Sequence, residues 1–180
     1  MVYIVLGRGF EEIEAVTPCD ILRRGGVPVS FAAVGSEKTV EGSHGINVNA
    51  DVLVRDATAA VGDTVVIPGG MGGVNTIKSD KTAMDFIAQA SKNGAALAAI
   101  CAGPSVLAEL GLIDGKEITC YPGKESIMGK AHCDCEKSTV TDGELITGRA
   151  PGASIDFGLK LLSRLKGEET AKKIRLELVY

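Results

Sequence analysis

A short apolar run that stops at glycine and hands over to a helix-period stretch recurs along this chain. Val2 to Leu6 is continuous and apolar, as in a strand buried on both faces. Gly7-Arg8-Gly9 follows, then Glu11 to Arg24, in which Ile13, Val16, Ile21 and Leu22 keep helical spacing up to Gly25-Gly26. The same order returns as strands at Val29 to Val34, Thr64 to Ile67 and Ala96 to Ile100, and as helices at Thr82 to Lys92 and Pro104 to Leu110. Strands that alternate with helices are most simply buried as a parallel sheet between two helical layers, so the expected fold is α/β with a mostly parallel sheet. Short polar-apolar alternations at Lys38 to Glu41 and Gly45 to Asn49 predict a two-stranded excursion at the sheet edge. Ser138 to Thr141 and Leu145 to Thr147 are joined by Asp142-Gly143, a hairpin dipeptide. A last helix is expected from near Ala153 to about Leu165, with Ile155, Leu159, Leu162 and Leu165 on one face. No linker or repeat interrupts the pattern, and a single domain over 1–180 is expected.

Charge and composition narrow the partners. The 19 basic and 23 acidic residues leave a formal charge of -4, which offers no field to a polyphosphate backbone, so nucleic acid is not an expected partner. The longest apolar run, Ala95 to Ala102, is far short of the roughly 18 residues of a membrane span. Met1 to Leu6 lacks a basic leader pattern, and five cysteines at uneven spacing make no disulfide framework, so a reducing cytoplasm is the expected compartment.

Chemistry concentrates at Ala98-Ala99-Ile100-Cys101-Ala102-Gly103-Pro104, where a buried strand meets a small-residue turn and then a helix. That is the pattern of a nucleophile elbow with cysteine at its centre. It would raise the side chain clear of the sheet, aim a helix N-terminus at the sulfur so as to lower the thiol pKa, and free backbone N–H groups for an oxyanion. Gly69-Gly70-Met71-Gly72-Gly73 follows another strand. It lacks the Gly-Lys-Ser/Thr of a phosphate loop and reads either as a turn or as an oxyanion hole, with the Gly70 N–H facing the same pocket as Cys101. Gly7-Arg8-Gly9 is no dinucleotide site, because Glu12 stands where a third glycine is needed. Glu11 and Glu12 read as favourable charges at a helix start, whereas Glu14 could remain protonated and hydrogen-bond the sulfur. Cys120, His132, Cys133 and Cys135 lack zinc-ligand spacing and read as surface strand residues; no metal is expected. His44 reads as a turn residue, here also included among pocket-lining candidates.

These segments resemble the ThiJ/PfpI superfamily, in the branch of the parkinsonism-associated deglycases and their bacterial relatives. The resemblance rests on Glu11-Glu12-Ile13-Glu14, Asp20 to Gly26, Pro68-Gly69-Gly70, Ala98 to Pro104, and Gly148-Arg149-Ala150-Pro151-Gly152-Ala153-Ser154, in order over essentially the whole chain. It implies a flavodoxin-like sandwich of the class I glutamine amidotransferase type, a homodimer, Cys101 as the reactive elbow cysteine, and Glu14 as its carboxylic partner. Gly69, Gly70 and Ala102 would form the anion pocket, and Tyr121, Pro122, Arg149, Pro151, Arg24 and His44 would line it. The implied activity is cofactor-free conversion of methylglyoxal or glyoxal to a 2-hydroxy acid, or removal of early glyoxal adducts from amines and thiols. The alternative is an oxidative-stress sensor or redox chaperone acting through Cys101 oxidation. Intracellular peptidases of the superfamily carry histidine after the nucleophile, where this chain has Ala102. Many deglycase-branch members carry histidine before a proline, where this chain has Tyr121 before Pro122.

Overall fold

The computed structural model describes residues 1–180. In chain order the elements are β1 (Val2–Leu6), α1 (Glu12–Arg24), β2 (Val29–Ala33), β3 (Thr39–Glu41), β4 (Asn47–Asn49), β5 (Val52–Leu53), β6 (Thr64–Ile67), α2 (Met71–Ser79), α3 (Lys81–Lys92), β7 (Ala96–Ile100), α4 (Pro104–Glu109), β8 (Glu117–Ile118), β9 (His132–Cys133), β10 (Thr139–Asp142), β11 (Leu145–Gly148), α5 (Ser154–Lys166) and α6 (Glu168–Glu177). Seven strands form the central sheet in the order β10-β11-β7-β6-β1-β2-β5, and all its pairings are parallel except β10 with β11.

The topology follows from handedness. From β1 the chain crosses to β2 on one side, whereas the later crossover from β6 to β7 runs in the opposite direction. Right-handed crossovers in opposite directions put their helices on opposite faces. Accordingly α1, α5 and α6 pack together in one layer and α2 contacts both α3 and α4 in the other. The strand order reverses between β1 and β6, and ligands of open α/β sheets bind at such a switch point, beyond the carboxyl ends of the strands. The turns after β1, β6 and β7, which hold Gly7, Gly69 and Cys101, all open there.

The hairpin at Asp142-Gly143 forms with Asp142 facing Leu145. Other elements differ from the sequence expectation. Met71 to Ser79 is a helix although its first turn holds Gly72 and Gly73, residues that weaken an isolated helix. A Cβ on Gly73 would meet the Phe10 Cα at 2.7 Å, so the backbone approach of α2 to the turn after β1 requires glycine there. The excursion after β2 is its own two-stranded sheet, β3 with β4, and it is β5 that joins the main sheet beside β2. Beyond the expected last helix stands α6, where Ala171 and Ile174 are buried against α5. Its polar composition hides that narrow stripe. No helix of the chain is long and apolar enough to cross a membrane.

Candidate active site

All five residues of β7 are buried, and the strand ends in a residue whose backbone is forced into the left-handed region: Cys101 has φ 65°. A non-glycine residue there is strained and persists when its neighbours hold it. Here the Cys101 N–H donates to the Gly148 carbonyl at 2.9 Å, and the Cys101 carbonyl accepts from the Tyr121 N–H at 3.0 Å. Gly103 closes the turn, donating to the Ile100 carbonyl at 2.8 Å. A side chain at Gly103 would collide with the Ile67 carbonyl. The side chain so placed is 8% exposed, just open to solvent.

Glu14 reaches the same point from the first turn of α1 and is wholly buried. Its Oε2 accepts from the Gly69 N–H at 2.7 Å, and its Oε1 has no hydrogen-bond partner of nitrogen or oxygen. Gly69 lies between the two reactive groups: a Cβ there would meet Glu14 Oε2 at 2.5 Å and the Cys101 sulfur at 3.0 Å. Burial raises the Glu14 carboxyl to about 7, against the lowering influence of Cys101 and the Gly69 N–H. Burial also pushes the Cys101 thiol up, and the Glu14 charge pushes it further, whereas the Ala102 and Gly70 N–H groups pull it down. The expected lowering of the thiol is therefore corrected: burial and the Glu14 carboxylate outweigh the Ala102 and Gly70 N–H groups. The pair titrates as a unit. Once Glu14 holds the proton, the charge opposing a thiolate is gone and the two N–H groups remain.

Gly69, Gly70 and Ala102 thus gather around Cys101 and Glu14. Tyr121, Pro122 and Arg149 line a cavity of about 460 Å³ with Ala150 and Gly152; contrary to expectation Pro151 is not part of its lining, and neither Cys101 nor Glu14 opens into it. Arg24 is not brought to the Cys101 site of its own chain. It lies in the last turn of α1, ten residues beyond Glu14 and about 15 Å along the helix, where it donates to Asp20 at 2.6 Å. His44 is tied to Glu12, with its Nδ1 2.9 Å from Glu12 Oε2.

The sequence reading missed Glu12, which is no surface charge but buried. Burial raises its pKa, yet the ring and backbone N–H of His44 and the Ser43 hydroxyl outweigh this and lower it to about 2. The available signal was Gly42-Ser43-His44, since a side chain at Gly42 would collide with the Glu12 carboxylate. Ligand atoms of Glu11, Glu12 and His44 lie within 4.8 Å of one another, a spacing that a cation could bridge, but their mutual hydrogen bonds already account for it. The cysteine cluster also departs from expectation: Cys120 is fully buried, with its sulfur 3.6 Å from that of Cys135.

A doubly wound sheet carrying a strained cysteine elbow opposite a buried carboxyl defines the class, an α/β protein with a cysteine held at its switch point. The chain belongs to the DJ-1/PfpI family, whose profile matches residues 1–164. It is 34% identical to the protein dj-1beta of Drosophila melanogaster over 172 residues, covering 95% of this chain and 92% of that protein. Protein DJ-1 homolog B of Arabidopsis thaliana is 35% identical over 99% of this chain, which spans 41% of that relative. The glutathione-independent glyoxalase DJR-1.2 of Caenorhabditis elegans is 30% identical over 91% of this chain and 87% of its own length. Among solved structures, the DJ-1 superfamily protein STM1931 from Salmonella typhimurium superimposes with a TM-score of 0.93 at 28% identity, covering 99% of this chain and 97% of that one.

Proposed function

We propose that this protein is a cofactor-independent cysteine enzyme acting on reactive 2-oxoaldehydes, methylglyoxal or glyoxal, and on early glyoxal adducts of amines and thiols. The observation that carries this reading is the wholly buried Glu14 carboxyl, its Oε1 without a nitrogen or oxygen partner, beside the Cys101 thiol at the strained elbow. The Cys101 sulfur attacks the aldehyde carbon, forming a C–S bond as the carbonyl π bond opens; the Gly70 and Ala102 N–H groups stabilise the oxyanion, which takes the thiol proton by way of Glu14 to become the hemithioacetal hydroxyl and leaves Glu14 a carboxylate. Glu14 then removes the proton from that carbon and returns it to the adjacent carbonyl carbon. The product is a thioester of a 2-hydroxy acid. Water cleaves it, releasing the acid and restoring the thiol, so the net change is addition of one water. An adduct on an amine or thiol would enter at the same carbon and leave with its amine or thiol released. The relative named as a glutathione-independent glyoxalase supports this substrate class.

A second reading, oxidation of Cys101 in stress sensing or a redox chaperone, is favoured by the same partnerless Oε1, which would bond a sulfinic oxygen when protonated. Peptidase activity has no such support, since Ala102 stands where the peptidase histidine would be. The test is lactate formation from methylglyoxal by purified protein without cofactor or added metal. Many turnovers per chain are expected, falling at least about 100-fold in Glu14→Gln and to background in Cys101→Ser. Equal lactate from wild type and Cys101→Ser would overturn the enzyme reading and leave the redox one.

A further inference from the structure

Three of the five free cysteines gather where β8 pairs with β9 and in the residues just beyond. Ile118 faces Cys133 in this parallel register, and the Asp134 N–H donates to the Ile118 carbonyl at 2.8 Å. Two residues beyond the ends of these strands, the Cys120 and Cys135 sulfurs lie 3.6 Å apart. An S–S bond of about 2.05 Å requires the two sulfurs to approach by roughly 1.5 Å.

The two thiols are unequal. Cys135 is half-buried and open to solvent, whereas Cys120 is fully buried. One sulfur can meet a small reagent and the other can resolve the product. The Cys135 thiol donates to Glu125 Oε1 at 3.2 Å, which fixes the direction of its S–H bond.

We propose that Cys120 and Cys135 form a redox couple, separate from Cys101, that closes to an intrachain disulfide on reaction with a hydroperoxide. The Cys135 sulfur attacks the terminal peroxide oxygen; an S–O bond forms, the O–O bond breaks, and the thiol proton goes to the leaving alkoxide, which becomes an alcohol. Cys120 then attacks the Cys135 sulfur, forming the S–S bond and breaking the S–O bond, and its proton leaves with the hydroxyl as water. Two thiols lose two electrons in total, which reduce one hydroperoxide. Because Cys120 precedes Tyr121, which lines the cavity and donates to the Cys101 carbonyl, the disulfide tethers one wall of that cavity.

The test is a thiol map of the full chain. Reduced protein is treated with tert-butyl hydroperoxide, blocked with N-ethylmaleimide, and digested without reduction by trypsin and a protease that cleaves before aspartate. Cuts at Lys124 and Lys130 separate Cys120 from the other two, and the cut before Asp134 parts Cys133 from Cys135. The expected result is a Cys120 peptide joined to a Cys135 peptide within one chain, reversed by dithiothreitol and retained in Cys101→Ser. Linkage to Cys133, cross-links between chains, or oxidation of these thiols without any cross-link would overturn the proposal. The wild-type map decides the matter by itself, and loss of the link in Cys135→Ser would add to it.

Discussion

At the scale of single residues, Glu14 and Gly69 make the sharpest demands. The folded-state pKa of Glu14, about 7 against an ordinary 4.5, means that the native state binds its proton more tightly than the unfolded chain does. Stability from this group is therefore full below about 4.5 and is lost as pH rises towards 7, by on the order of 3 kcal/mol. Denaturant midpoints of Glu14→Gln and wild type, measured from pH 4.5 to pH 8, should show the variant gaining on wild type as pH rises. A constant difference would mean that Glu14 is not the titrating group. Gly69→Ala places a methyl against Glu14 Oε2 and the Cys101 sulfur. It should cost about 1–3 kcal/mol in urea unfolding and lower oxoaldehyde turnover at least about 10-fold. Reaction of Cys101 with iodoacetamide, which needs no catalysis, should slow in the same variant.

At the scale of elements, the start of α2 is a test of what decides a helix. Ala is favoured over Gly in a helix interior by about 1 kcal/mol, so propensity alone says that Gly73→Ala stabilises. The Phe10 backbone at 2.7–2.8 Å from the new Cβ reverses the sign, and a net loss of about 1–3 kcal/mol is expected in chemical denaturation. Gly152→Ala, with nothing within 4 Å of its Cβ, serves as the control and should shift stability by less than about 1 kcal/mol. Propensity explains why the sequence showed α3 but not α2: Asp80 caps α3, accepting from the Ala83 N–H at 2.9 Å, and its apolar stripe is regular. The glycines of α2 speak for a turn until their neighbours are known.

At the scale of the whole molecule, α1 leaves Ile13 and Val16 52% and 44% exposed, one on each side of the turn that buries Glu14. We expect a second copy to cover them, so light scattering should give twice the chain mass of 18.6 kDa, and Val16→Asp should shift it toward one copy. A monomeric wild type would overturn the homodimer that the family resemblance implies. The chain's own pattern determined the βα order, the parallel sheet, the hairpin at Asp142-Gly143 and the elbow at Cys101, because each depends on neighbours a few residues apart: apolar runs, turn dipeptides and small residues at a tight bend. Contacts between distant segments decided the rest. Glu12 is buried because residues 42–44 fold over it, Cys120 lies against Cys135 because two short strands pair, and the Cys101 thiol is raised because burial and the Glu14 carboxylate outweigh the Ala102 and Gly70 N–H groups. Solvation and proton affinity depend on everything within a few ångströms, and which segments come that close is a property of the folded chain.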